Sequence, residues 1–128
     1  MARVLVVEDH KEWCSILSED LESAGYIVDT AYSLETAIAH LKKQDYQIVV
    51  TDIGLSKEPE DASGIELLKW LKTNCTMTKA LAISGRAVMG LNKEDFKKEY
   101  GVLEYIDRIN YDSEEFLHLV KIAEMQGK

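Results

Sequence analysis

The chain has 128 residues, 46% of them hydrophobic and 30% charged, with a formal net charge of -8 at pH 7. That length fits one domain with one core, and the acidic balance argues against direct nucleic-acid binding, which rests on clustered Lys and Arg. No apolar run reaches the roughly 18 to 20 residues needed to cross a bilayer, and the N-terminus enters a strand-like run with no basic region or cleavage signal, so the expected setting is the cytoplasm, away from the membrane.

Short apolar runs alternate with amphipathic stretches along the chain, the pattern of β-α-β units and a parallel sheet. The first run, residues 4–7, closes on the acid pair Glu8-Asp9. A helix follows, with Trp13, Ile16, Leu17, Leu21 and Ala24 at helical spacing and Gly25 as its stop. The second run, residues 26–31, leads into Tyr32 with no charged group at its end, as suits an edge strand, and Leu34, Ala37, Ile38 and Leu41 mark the second helix. The third run, residues 47–51, ends on Asp52.

The third helix opens at Ser63, where Ser63-Gly-Ile-Glu66 is a capping-box pattern, and turns Ile65, Leu68 and Leu71 inward. Residues 80–84 form the fourth run. The fourth helix, residues 92–100 from an N-cap at Asn92, carries only Phe96 and Tyr100 as an apolar stripe and is expected to be short and mobile. Residues 103–107 are the fifth run. The last helix starts from Asp112, reaches about residue 125 and buries Phe116, Leu119, Val120 and Ala123. No repeat, low-complexity tract or linker divides the chain, so residues 1–128 read as a single domain. The two cysteines, Cys14 and Cys75, lack metal-ligand spacing and read as packed, reduced thiols.

A doubly wound sheet binds ligands outside the carboxyl ends of its strands. That rule gathers Glu8, Asp9, Asp52, Ser84 and Asp107-Arg108 on one rim. Carboxylates brought together raise one another's pKa, and a divalent cation is the usual resolution. Oxygen-only ligation with positions left for water and phosphate oxygens is the chemistry of Mg²⁺, which points to phosphoryl transfer. Taken alone, Glu8 and Asp9 also fit a solvated loop that caps the helix near His10, and Ser84-Gly85 fits plain turn chemistry.

In order and spacing together, Val-Val-Glu8-Asp9, Val-Val-Thr-Asp52, Leu-Ala-Ile-Ser84-Gly85 and Glu-Tyr105-Ile-Asp-Arg108 resemble the receiver domains of response regulators, over essentially the whole chain. The resemblance implies an α/β fold: a five-stranded parallel sheet, doubly wound as (βα)5, with the flavodoxin-like strand order 2-1-3-4-5. It implies that Asp52 accepts a phosphoryl group from a sensor histidine kinase, a phosphotransfer protein or a small acyl phosphate. Asp9 would contact Mg²⁺ directly and Glu8 through water, with Asp52 and the backbone carbonyl of Gly54 as further ligands. Ser84 would donate to a phosphoryl oxygen, and Arg108 stands where the family has its phosphate-contacting cation. Arg86 occupies the position that tunes phosphate lifetime. Tyr105 matches the switch aromatic, although a strand Tyr packed with its hydroxyl at the surface fits equally well. The fourth helix, fifth strand and fifth helix would form the output face toward an effector domain or a downstream protein. Such a chain is a signalling phosphoacceptor with at most self-dephosphorylation, not an enzyme.

Two departures stand out. Arg108-Ile109 replaces the family's Lys-Pro. A guanidinium is planar and forked where an ammonium is a point charge, and a non-proline residue at 109 predicts a trans bond, because the cis form costs about 2.5 to 4 kcal/mol. The stretch from Asp52 to Gly64 is also longer than usual and carries Glu58, Glu60 and Asp61. It reads first as a tolerated insertion and second as a gate that selects a kinase. The competing function is a pseudo-receiver, an interaction module that works without phosphate. A haloacid-dehalogenase-like phosphatase would need a second Asp two residues after the nucleophile, where this chain has Gly54. His10, His40 and His118 share no metal-ligand spacing with one another.

Overall fold

The computed structural model describes residues 2–52, 63–75, 77–84, 97–98, 101–108 and 111–126, with the backbone alone at Ser63, Ser84 and Asp107. Five parallel strands, β1 (Arg3–Val7), β2 (Ile27–Ala31), β3 (Ile48–Asp52), β4 (Lys79–Ser84) and β5 (Glu104–Asp107), lie in the order β2-β1-β3-β4-β5. The expected fold class and strand order are therefore the observed ones. The helices are α1 (Lys11–Ser23), α2 (Leu34–Lys43), α3 (Ser63–Asn74) and α4 (Ser113–Gln126).

Side chains on a strand alternate between faces, and this sheet buries both. Leu5, Val7, Val49, Ala80 and Ala82 pack with Ala37 and Leu41 of α2 and with Leu67, Leu68 and Leu71 of α3. On the other face Val4, Val6, Ile48, Val50, Leu81 and Ile83 meet Cys14, Leu17 and Leu21 of α1 and Phe116, Val120 and Ala123 of α4. This is why β1 and β3 read as unbroken apolar runs: both of their faces are covered. β2 lies at the edge, as its uncharged end suggested, and its burial pattern is correspondingly looser.

Local signals account for most element ends. Gly25 (φ 95°) takes the left-handed conformation after α1, which glycine adopts without a Cβ clash. Ser33 caps α2 through a reciprocal box with Thr36, and Asp112 Oδ2 accepts from the Glu115 N–H at 3.0 Å to start α4. The capping box expected at Ser63 involves a side chain outside the described atoms. Of the fourth predicted helix, Lys97 and Lys98 are helical, and Lys97 Nζ pairs with Glu104 at 3.1 Å. The rest of that helix lies outside the described residues.

Two expectations for α1 need correcting, and one alternative falls away. Ile16 does not face the core: it is 39% exposed, because the buried stripe of α1 runs through Cys14, Leu17 and Leu21 and leaves Ile16 about 100° away. Ala24 is the exposed C-cap, not an inward helix position. Glu8 and Asp9 do not cap α1 either: its N-cap is His10, which makes no side-chain cap bond. Cys14 and Cys75 are both free thiols, the first buried and the second half-buried. Among the described residues no helix is long and apolar enough to cross a membrane.

Candidate functional site

Register brings the chemistry to one edge. Val7 pairs with Thr51, Asp52 with Ile83, and Ser84 with Asp107, so the carboxyl ends of β1, β3, β4 and β5 align. Glu8 follows β1 directly, and its N–H donates to the Ala31 carbonyl of β2 at 3.0 Å, holding the residue at the sheet end. Asp52 is the last residue of β3, and Arg108 follows β5.

The side chains converge. Glu8 is fully buried and Asp52 is 4% exposed. One Arg108 guanidinium nitrogen, Nη2, donates to Glu8 Oε2 in a short contact and lies 3.3 Å from Asp52 Oδ2. The other Glu8 oxygen, Oε1, accepts from the His10 backbone N–H and lies 3.1 Å from the His10 ring Nδ1. That ring nitrogen is also 3.1 Å from Asp9 Oδ1, a buried oxygen for which the geometry gives no hydrogen bond. Possible ligand atoms of Glu8, Asp9, His10 and Asp52 all lie within 4.8 Å of one another.

Burial penalises the charged form of Glu8, and the neighbouring Asp52 carboxylate adds repulsion, so its pKa is pushed up to about 7 against the opposing pull of Arg108 and His10. A hard divalent cation suits this set. Its oxygens are carboxylate, they converge, and Asp9 Oδ1 is a buried acceptor that a cation would satisfy. Glu8, Asp9 and Asp52 are the residues that could hold Mg²⁺.

The other predicted site residues fall as follows. Ser84 ends β4 on the same rim, with its hydroxyl outside the described atoms. Tyr105 is half-buried in β5, opposite Ala82, and packs against the core cluster on the sheet face that α2 and α3 cover. Gly54, Gly85, Arg86, Ile109 with its peptide bond, and the long stretch after Asp52 lie outside the described residues.

Two contributors escaped the sequence reading. His10, which follows the acid pair and opens a helix in the sequence, bridges the two adjacent acids through its ring. Trp13 packs at the margin of the core, as its place on the α1 stripe implies, and its ring also lies under Arg108, with the guanidinium carbon 5.0 Å from the ring centroid. A basic side chain arriving from β5 opposite an aromatic one turn into α1 was the available signal.

A family model for the response regulator receiver domain matches residues 4–118. The regulatory protein VanRc of Enterococcus gallinarum is 26% identical over 114 residues, covering 84% of this chain and 48% of its own length. The alkaline phosphatase synthesis transcriptional regulatory protein PhoP of Bacillus subtilis is 29% identical over 100 residues, covering 78% of this chain and 38% of its own length. The chain thus spans about half or less of these relatives. Among solved structures, a CheY-like response regulator receiver domain from Methanospirillum hungatei superposes with a TM-score of 0.84 at 22% identity, covering 99% of this chain and 96% of that one. The beryllofluoride-activated NtrC4 receiver domain dimer gives 0.83 at 28% identity, with both chains fully covered.

Proposed function

This chain belongs to the response regulator receiver domain family, and we propose that residues 1–128 act as one phospho-accepting switch with Asp52 as the acceptor. The observation that carries the reading is the buried Asp52 carboxylate beside Glu8, Asp9 and the Arg108 cation at the end of a parallel sheet. Receiver domains are signalling modules that meet histidine kinases and effector domains. The family reading supports a cytoplasmic setting, and the net charge of -8 supports a chain that makes no direct nucleic-acid contact.

In the proposed step an Asp52 carboxylate oxygen attacks the donor's phosphorus, a P–O bond forms to Asp52, and the bond to the donor's nitrogen or oxygen breaks. The product is an aspartyl phosphate. A carboxylate is a weak nucleophile, so placement and charge neutralisation carry the catalysis. β3 supplies the placement: Asp52 is fixed by its backbone pairing with β4, and Thr51 Oγ1 donates to the Asp52 carbonyl at 2.9 Å. Arg108, already 3.3 Å from Asp52 Oδ2, is positioned to follow the charge onto the phosphoryl oxygens. Mg²⁺ held by Glu8, Asp9 and Asp52 would neutralise charge on the transferring group. Ser84 would add a donor, Gly54 a carbonyl ligand and Arg86 control of lifetime. Tyr105 and the face made by the fourth predicted helix, β5 and α4 would carry the signal to an effector domain or a downstream protein.

A pseudo-receiver is the second reading, favoured by one observation: the Arg108 cation already pairs with both Glu8 and Asp52. Intact-mass measurement after incubation with acetyl phosphate separates the two. The switch reading expects a mass increase of one phosphoryl group that needs Mg²⁺ and vanishes in Asp52→Asn. An unchanged mass with acetyl phosphate and with a histidine phosphotransfer donor supports the pseudo-receiver.

A further inference from the structure

We propose that Trp13 is a positioning residue: its indole face holds the Arg108 guanidinium across Glu8 and Asp52, so that Mg²⁺ must compete with a tethered arginine for those carboxylates. The inference rests on reading the acid cluster as a cation site. Arg108 comes within hydrogen-bond or ion-pair range of both acids through Nη2, while its buried Nε has no hydrogen-bond partner among the described residues. Among the described residues hydrogen bonds therefore leave the plane of the guanidinium underdetermined, and the ring 5.0 Å away supplies a constraint on it.

The indole is itself braced. Tyr111 meets it edge-on at 5.2 Å and 85°, and Tyr111 leans on the buried Phe116 at 5.6 Å. The Tyr111 hydroxyl donates to Asp20 Oδ2 at 2.5 Å, and the Ser113 hydroxyl donates to the same oxygen at 2.8 Å. α1 and α4 thus fix the ring from behind. A planar cation can lie flat on such a face while its edge serves carboxylates, which a lysine ammonium cannot do. Arg108 and Trp13 form one device, and the arginine is matched to its setting.

The test is a Mg²⁺ titration by calorimetry on the full chain, with no phosphoryl donor, for the parent, Trp13→Leu, Trp13→Phe, Arg108→Met and the Trp13→Leu/Arg108→Met double variant. Loss of the stack weakens the competitor, so Trp13→Leu tightens Mg²⁺ binding about two- to tenfold, and Trp13→Phe stays within about twofold of the parent because a ring face remains. In the Arg108→Met background Trp13→Leu has no further effect. An unchanged or weakened affinity in Trp13→Leu overturns the proposal, as does a shift that persists without Arg108. Should Trp13→Leu fail to fold, Trp70→Phe leaves Trp13 as the sole indole. Mg²⁺ then changes its emission in the parent background and leaves it unchanged with Arg108→Met added; emission indifferent to Mg²⁺ overturns the proposal. Failed labelling of Asp52 with this pattern intact counts against the phosphorylation reading alone, and successful labelling with the pattern absent counts against Trp13 alone.

Discussion

Replacing Glu8 with Gln should stabilise the metal-free protein at alkaline pH and leave it unchanged in acid. Glu8 is fully buried, and its pKa rises from 4.5 to about 7, a net of burial and Asp52 repulsion over the help from Arg108 and His10. The folded state keeps this proton up to about pH 7 while the unfolded chain releases it near 4.5. Stability from this group is therefore full below the unfolded value and declines as pH climbs through the folded one. At about 1.4 kcal/mol per pKa unit, ionised Glu8 costs roughly 3 kcal/mol above neutrality. Gln mimics the protonated acid in shape and removes that cost. Urea unfolding in a chelator should show stabilities within about 1 kcal/mol near pH 5, and near pH 8 an advantage of about 3 kcal/mol for Glu8→Gln, equivalent to roughly 10 °C in Tm. Saturating Mg²⁺ should reverse the order, since a charged ligand favours the cation. A variant less stable than the parent near pH 8 without metal, or a difference flat across that range, refutes the reasoning.

Other perturbations have equally direct outcomes. Phe116→Ala empties a site that is 1% exposed between α1, α4 and the sheet, and should lower unfolding free energy by about 3 to 5 kcal/mol in chemical denaturation. Ser33→Ala removes the Ser33 hydroxyl that accepts from the Thr36 N–H, leaving only the Ser33 backbone N–H on Thr36 Oγ1, and should cost about 1 kcal/mol in the same assay, with little effect on Mg²⁺ affinity. Arg108→Met should slow acetyl phosphate labelling on the order of a hundredfold, by analogy with removing one donor to a developing oxyanion, whereas Arg108→Lys retains the charge and should lose less. Equal labelling rates in Arg108→Met and the parent would show that Arg108 plays no part in transfer.

The strands that mattered most were the easiest to read. β1 and β3 are buried on both faces, so their apolar runs show no alternation, and their carboxyl ends put Glu8, just after β1, and Asp52, the last residue of β3, on the rim. The order of strand-end residues carried the fold. What escaped the sequence depends on side-chain direction. Nothing in the sequence told whether Arg108 turns into the pocket or away, because that rests on the Trp13 face and the two carboxylates, which meet only after β5 docks beside β4. His10 follows the same logic: its ring folds back over Glu8 and Asp9 from the first position before α1. Ile16 has helical spacing with the core residues but stays exposed, because the stripe that α1 buries is narrower than that spacing implies. The α2 cap is hard to read in the sequence because Thr36, not Glu or Gln, completes the box.

The central claim is that Asp52, and no other rim carboxylate, takes the phosphoryl group. Borohydride reduction of the labelled protein, which converts an acyl phosphate to an alcohol, followed by peptide mapping tests it at single-residue level. The account predicts that residue 52 is recovered as homoserine, only after Mg²⁺-dependent labelling. Reduction at Glu8 or Asp9, or no reduced residue in a chain that has gained a phosphoryl group, would contradict it.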